Sequence, residues 1–356
     1  MANASARNLM LPGLVLLGVL SGALLGAGAR AAAPAPTPVT PALIEAATKE
    51  GKVVWYTSVE LRAAEQIAKA FETKYPGITV QVERSGAERN FQRLAQEYGS
   101  GIHVADVLES SDAAQFIVWK RQGWLAPFVA EDVAKYWPAD QKDPDGDYAT
   151  WRSTFAPMGY NTKLVKAEDA PKSYADLLDP KWSGKIVKAH PGYSGTIMTA
   201  TFEIARDIGW TFFEKLAKQH IMQVQSAIDP PKKLAAGERA VMADSSEAMV
   251  NTLVEAGNPI APIYATEGTP FITGPCGIVK EAPHPNAARL FVSFMLSVEG
   301  QQLVVDVAGM RSLHPQVKEK PGRTPLSAIK AMKDDPAAVE SQVETIKRKY
   351  TQYFHT

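Results

Sequence analysis

Hydrophobic and polar positions along this chain switch repeatedly between two periods. KVVWYTS (52–58) is a run of β-branched and aromatic residues and predicts a strand. Directly after it, Leu61, Ala64, Ala68, Phe71 and Tyr75 recur at helical spacing, and Pro76-Gly77 stops the helix. ITVQVER (78–84) alternates apolar with polar residues, as a half-buried strand does. AERNFQRLAQEYG follows as a polar helix, VADVLES (104–110) as a third strand and AAQFIVWKRQG as a third helix. Strands and helices in this order build a parallel sheet covered on both faces. Such sheets bind ligands outside the carboxyl ends of their strands. Here those ends read Thr57-Ser58, Ser85-Gly86 and Ser110-Ser111-Asp112, three small, hydroxyl-rich turns. Serine and aspartate also cap helices, which explains any one turn without a ligand. Their recurrence at three strand ends makes them candidate ligand contacts.

The pattern then breaks. DPDGDYATW (143–151) predicts a turn and a strand, and STFAPMGYNTKL (153–164) a long extended segment. A second alternation starts at KIVKAHP (185–191) and runs through the helix GTIMTATFEIARDIG, the strand RAVMADS (239–245) and the helix EAMVNTLVEAG. NPIAPIYATEG (258–268) is a strand and turn, TGPCGIVK precedes two helices, and Leu326 to Phe354 predicts a charged helix. The chain thus reads as two α/β units joined at Phe155–Tyr160 and again near Pro270–Pro275. Two crossings between units make a hinge. The expected partition is 42–156 plus 274–322 for one unit and 157–273 plus 323–356 for the other.

A length of 356 residues fits about two domains. With 38 basic and 38 acidic side chains, the chain lacks the basic excess of a nucleic-acid binder. Arg7, the apolar stretch Leu9 to Leu25 and the small-residue site Ala29-Arg30-Ala31 have the layout of a signal peptide over 1–31. A membrane anchor is the rival reading, but Pro12, Gly13, Gly18, Gly22 and Gly26 interrupt the apolar run. AAAPAPTPVTP then predicts an extended, disordered Pro/Ala linker over 32–41. Cys276 is the sole cysteine, which excludes an internal disulfide and leaves no cysteine at the cleavage site for a lipid anchor. The mature chain is expected to be exported, periplasmic and free of a lipid anchor. Beside a predicted buried strand, Cys276 reads as an inert thiol.

Candidate chemistry concentrates in AHPGYSGTIMTA (189–200). Gly192-Tyr193-Ser194-Gly195-Thr196 approaches the G-x-S-x-G nucleophile elbow, but threonine replaces the last glycine, which close strand–helix packing needs. His220, His284 and His314 lie downstream without a recognisable catalytic context. The other reading is a cradle: Ser194, Gly195 and Thr196 open a helix whose first N–H groups attract anions. Simple N-capping by Ser194 stands equally beside it. Arg84 and Arg89 flank Ser85-Gly86, and arginine grips carboxylate or phosphate through paired hydrogen bonds. Arg89, in the first turn of its helix, is the stronger candidate. Tyr160 and Tyr193 are placed either to contact a ligand or to pack the hinge. No two of the six histidines stand four apart and no cysteine pair exists, so no metal site and no cofactor are expected. Asp143, Asp145 and Asp147 resemble the start of a calcium loop, but its later glycine and glutamate are missing, so a solvated turn is expected.

In this order, KVVWYTS…FETKYPGITVQVE, ADVLESSD, GYNTKL, YADLLDPKWSGKI, GERAVMAD and EGTPF…PHPNAARLFVSFMLSVEGQQ resemble the periplasmic solute-binding proteins of ABC importers. The group they resemble most contains ferric-iron-binding proteins and relatives for small organic anions. The resemblance implies an α/β, two-lobed type 2 periplasmic binding fold, each lobe a mixed sheet flanked by helices. The lobes would close on one solute in the cleft between them, and a monomer would present it to an inner-membrane permease or a membrane sensor. It implies no enzymatic role. Ferric members carry adjacent tyrosines after the strand that follows a G-E motif. Here Gly237-Glu238 is present, but Asp244-Ser245-Ser246 takes the tyrosines' place. Serine hydroxyls do not replace tyrosinate as hard anionic donors, so iron is the alternative ligand rather than the leading one. The expected contacts are Thr57, Ser58, Ser85, Gly86, Arg89, Ser110 and Ser111 from one lobe. From the other come Tyr160, Tyr193, Ser194, Gly195, Thr196, Asp244 and Ser245. An anionic organic solute suits them best.

Overall fold

The computed structural model describes residues 33–356; the leader expected over 1–31 lies outside them. The first of two sheets contains β1 (Lys52–Thr57), β2 (Thr79–Arg84), β3 (Val107–Glu109), β4 (Leu125–Ala126), β5 (Ala149–Phe155) and β11 (Phe271–Val279). Its order is β2-β1-β3-β11-β4, with β5 also paired to β11. β1 runs parallel to β2 and β3, as the alternation predicts. β11 returns from the distant part of the chain and pairs antiparallel with β3, β4 and β5, which makes the sheet mixed. The second sheet holds β6 (Met158–Asn161), β7 (Ile186–Ala189), β8 (Met222–Val224), β9 (Val241–Met242) and β10 (Ile260–Ile263) in the order β10-β6-β9-β7-β8.

Helices cover both sheets. Around the first lie α1 (Pro41–Glu50), α2 (Leu61–Lys74), α3 (Ala87–Gly99), α4 (Ala113–Arg121), α5 (Glu131–Tyr136), α10 (Pro285–Leu296) and α11 (Val298–Asp306). Around the second lie α6 (Gly195–Asp207), α7 (Trp210–Ala217), α8 (Asp229–Ala235) and α9 (Glu247–Glu255). The result is a two-lobed α/β fold. Each sheet has its own core: Trp55 meets Trp151 and Phe291 edge-on in one lobe, and Tyr174, Phe212 and Phe213 pack together in the other. Cys276 is buried in β11, and its thiol is pushed well above the usual range by that burial.

Two expectations change. The Pro/Ala segment is docked rather than disordered: Thr37 N–H donates to Val129 O at 2.9 Å, and Thr40 caps α1. Leu326 to Asp335 is not continuous helix; a short 3-10 turn and extended chain precede α12 (Pro336–Phe354), which starts at a proline that cannot extend a helix backward. The chain passes between the lobes at the two places read from the pattern and again before α12, as a partition with a boundary at 322/323 requires. Ala156 N–H donates to Pro270 O at 3.0 Å, and Thr269 N–H donates to Lys330 O at 2.8 Å.

α12 lies across both lobes. Its Val339 and Ile346 share one apolar cluster with Ala114 of α4 and with Met198 and Phe202 of α6. Glu340 pairs with Arg121 at 2.7 Å, Lys347 with Glu88 at 3.2 Å, and Tyr350 Oη donates to Gln223 Oε1 at 2.9 Å.

Beside the crossing segments, Glu203 of α6 accepts from Phe271 N–H at 3.0 Å. Burial pushes its carboxyl up to about 9, with Asp334 adding to the shift and Phe271 N–H and Arg206 opposing it. Asp112, which caps α4, is pushed up to about 7 by burial, against the N–H of Ala114. Both folded values lie above those of the unfolded chain, so the fold binds these protons more tightly. Their contribution to stability is complete below pH ~4 and is lost as pH rises through the folded values. Thermal unfolding should therefore show Tm falling from pH 7 to pH 9, above the range in which an unfolded histidine titrates, with Glu203→Gln flattening the decline. A Tm that holds or rises over that range contradicts this.

Candidate functional site

The lobes meet around a cavity of about 420 Å³. Residues after β1 and β2 and the starts of α2 and α3 form its first-lobe wall. The loop before α6, residues 225–229 and the start of α9 form the facing wall, and residues 307–310 close one flank. Gly86 is the N-cap of α3 and offers no side chain to its first turn; a Cβ there would stand 3.0 Å from Tyr193 O of the other lobe. Ser246 begins α9, also without a side-chain bond to it. Two helix starts are therefore left uncapped at the cavity, with first-turn N–H groups that carry partial positive charge.

Ser58, Gly86, Arg89, Ser111, Tyr193, Ser194 and Thr196 line the cavity. Ser194 caps α6 and lines the cavity: its Oγ accepts from Ile197 N–H at 3.5 Å. Its hydroxyl has no histidine partner. The nearby His190 has both ring nitrogens engaged, Nδ1 with Gly192 N–H at 2.9 Å and Nε2 with Thr356 Oγ1 at 2.9 Å. The imidazole is pushed down to about 4 by burial and by Lys188. A serine–histidine couple is absent from this loop.

The other candidates sit behind or beside the wall. Thr57 is fully buried, and its hydroxyl donates to Glu109 Oε2 at 2.7 Å. Ser110 donates to Gln115 Oε1 at 2.7 Å. Ser85 continues the β1–β2 ladder through its N–H, donated to Thr57 O at 3.1 Å. Tyr160 packs against the second-lobe core. Asp244 is buried 2.5 Å from Lys188 and accepts from Ala189 N–H, while Ser245 donates to Pro157 O at 2.8 Å. Gly195 stands at the contact between lobes: a Cβ there would lie 2.7 Å from Asp112 Cβ and 2.9 Å from Ser111 Oγ.

The charge of the cavity comes from groups partly missed in the sequence. Arg62, Arg84, Arg89 and Arg152 line it. Arg152 is locked to Glu109 at 2.6 Å, with both side chains buried. Among the described residues Arg62, Arg84 and Arg89 have no carboxylate partner. Arg84 Nε donates to Val59 O at 3.3 Å, and Arg89 Nη2 crosses the cavity to Gln225 Oε1 at 3.2 Å. The lining acids are engaged: Glu60 accepts from Ala63 N–H at 3.2 Å and Asp229 from Ser226 N–H at 3.0 Å. The hydroxyls of Ser111, Thr196 and Ser246 have no partner among the described residues, although these side chains are more than nine-tenths buried. All three residues line the cavity, where their hydroxyls can donate to a ligand's acceptors. Ser246 directly follows the predicted Asp244 and Ser245; Arg152, mid-strand, carries no local signal.

Among the described residues, the His, Cys, Asp and Glu group with metal-like spacing is Asp143, Asp145 and Asp147, outside the cavity. The solvated turn expected there is instead largely buried around Lys120, which pairs with Asp145 at 2.7 Å and also with Asp143. No helix among the described residues is long and apolar enough to cross a membrane.

A family model described as bacterial extracellular solute-binding protein matches residues 57–302. A Salmonella typhimurium periplasmic protein, to which 2-aminoethylphosphonate binding is ascribed, is 27% identical over 250 residues, covering 66% of this chain and 70% of its own. AfuA of Actinobacillus pleuropneumoniae, a periplasmic binding protein solved with fructose-6-phosphate bound, superposes with a TM-score of 0.79 at 25% identity, over 86% of this chain and 99% of its own. Iron-bound HitA of Pseudomonas aeruginosa superposes at 0.73 with 23% identity, over 84% and 99%.

Proposed function

The chain belongs to the bacterial extracellular solute-binding protein family, and from that premise we propose that it captures an organic solute with a phosphate or phosphonate head for an ABC permease. Arg62, Arg84 and Arg89, which have no carboxylate partner among the described residues, are the observation that carries this reading. Beside them, Ser111, Thr196 and Ser246 offer hydroxyls, and α3 and α9 offer uncapped N–H groups. Charge-assisted hydrogen bonds from such a set suit a compact oxyanion. The relatives named for 2-aminoethylphosphonate and solved with fructose-6-phosphate both involve phosphorus oxyanions, which favours phosphate or phosphonate over carboxylate. Asp244 and Ser245, which stand where the sequence resemblance would put the tyrosines of ferric members, are buried, and this disfavours iron.

The protein performs closure rather than chemistry. A solute shifts the open–closed equilibrium by its extra affinity for the closed form, and contacts from both lobes provide that difference. We take the moving bodies to be 42–156 plus 274–322 and 157–273 plus 323–356, with residues 1–31 removed on export to the periplasm.

Titration calorimetry with 2-aminoethylphosphonate and fructose-6-phosphate tests the head group. One charge-assisted contact contributes about 1.5–3 kcal/mol, so Arg89→Ala should weaken binding about ten- to a hundredfold at an unchanged Tm. Unchanged affinity would remove Arg89 from the site. A visible charge-transfer band on adding Fe(III) would favour the iron reading instead.

A further inference from the structure

We infer that the solute's remainder is apolar, an alkyl or aryl substituent rather than a polyol; this rests on the anionic head proposed above. The cavity has two chemically different walls. Arg84, Arg89, Ser194 and Thr196 belong to one. The other is formed by Ala63 of α2, Ala248 and Met249 of α9, and Val307, Ala308 and Met310. Ala63, Ala248, Ala308 and Met310 are members of one continuous hydrophobic cluster, with Val307 packed against it.

The polar groups near that wall are spent or turned to water. Thr252 Oγ1 donates to Ala248 O of its own helix at 2.9 Å. Asn251 Nδ2 donates to Gly309 O at 3.0 Å, fixing the 307–310 loop against α9. Arg62 belongs with the arginines of the head-group site, and Gln66, also on α2, is exposed. A polyol would leave hydroxyls unpaired against this surface, at a cost that a methylene chain avoids. A cavity of about 420 Å³ also falls in the size range of organic-ligand sites.

The test is calorimetry of the processed full chain with methyl-, propyl- and pentylphosphonate, 2-aminoethylphosphonate and fructose-6-phosphate. Apolar burial should tighten binding about three- to fourfold for each added methylene, with an increasingly negative heat-capacity change. Met310→Ser should reduce the pentyl-to-methyl affinity ratio. A flat alkyl series, or tighter binding of 2-aminoethylphosphonate or fructose-6-phosphate than of pentylphosphonate, overturns the inference and leaves the anionic head standing. Failure of every phosphonate and phosphate ester to bind overturns the head-group reading, and the inference with it.

Discussion

Replacing Gly195 with valine is expected to abolish tight solute capture while leaving the folded protein intact. Gly195 is the first residue of α6 and has no left-handed backbone, so a side chain brings no local strain. The obstacle lies across the cleft. A Cβ would stand 2.7 Å from Asp112 Cβ, 2.9 Å from Ser111 Oγ and 3.1 Å from Ala87 Cβ, all on the opposite lobe. Any side chain there holds the lobes apart, and valine does so more than alanine. Solute contacts made only in the closed form are then lost. Excluding a closed form normally dominant in the complex lowers affinity by roughly a hundredfold or more. Calorimetry reads the loss, and small-angle scattering should show no compaction on adding ligand. Wild-type affinity in Gly195→Val would mean that solute is held without the lobe approach seen at this point.

Arg311→Ala is expected to give the largest stability loss. Arg311 Nε and Nη2 donate to the Glu247 carboxylate at 3.0 and 2.7 Å, and Glu247 is fully buried at the start of α9. Tyr264 Oη and Phe155 N–H donate to the same carboxylate, which ties α9 to β5 and to the crossing segments. Removing one partner of a buried pair leaves an uncompensated charge, at a cost of about 3–5 kcal/mol. At about 2–4 °C per kcal/mol for chains of this order of size, Tm should fall by roughly 6–20 °C. Replacing both partners, as Arg311→Met with Glu247→Leu, should recover much of that loss. A fall of only a degree or two in the single variant would show that the pair contributes little despite its burial.

The contrast between these positions shows what was legible in the sequence. Gly195 and Ser194 drew attention because a helix start after a strand is a local pattern, and the same holds for Gly86 and Arg89. The lobes were legible for a related reason: strand and helix periods survive tertiary packing. Arg152, Arg311 and Met310 were not legible. Each reaches the cavity or the hinge through partners far along the chain, such as Glu109 and Glu247, and nothing in its neighbouring residues encodes that meeting. Thr57 and Ser110 had the right local pattern. Burial turned their hydroxyls toward Glu109 and Gln115, a side-chain direction that a strand-end motif leaves open.

The last helix, α12, sets how the two halves can travel. One rod is seated in an apolar seam with α4 and α6 and pinned by Arg121 and Glu88 on one half and by Gln223 on the other. Sliding or twisting apart would strip that seam, whereas rocking about it preserves the contacts. The jaws are thereby restricted to essentially one degree of freedom, and a trapped guest is found by a swing along a single arc rather than by a search through many relative poses.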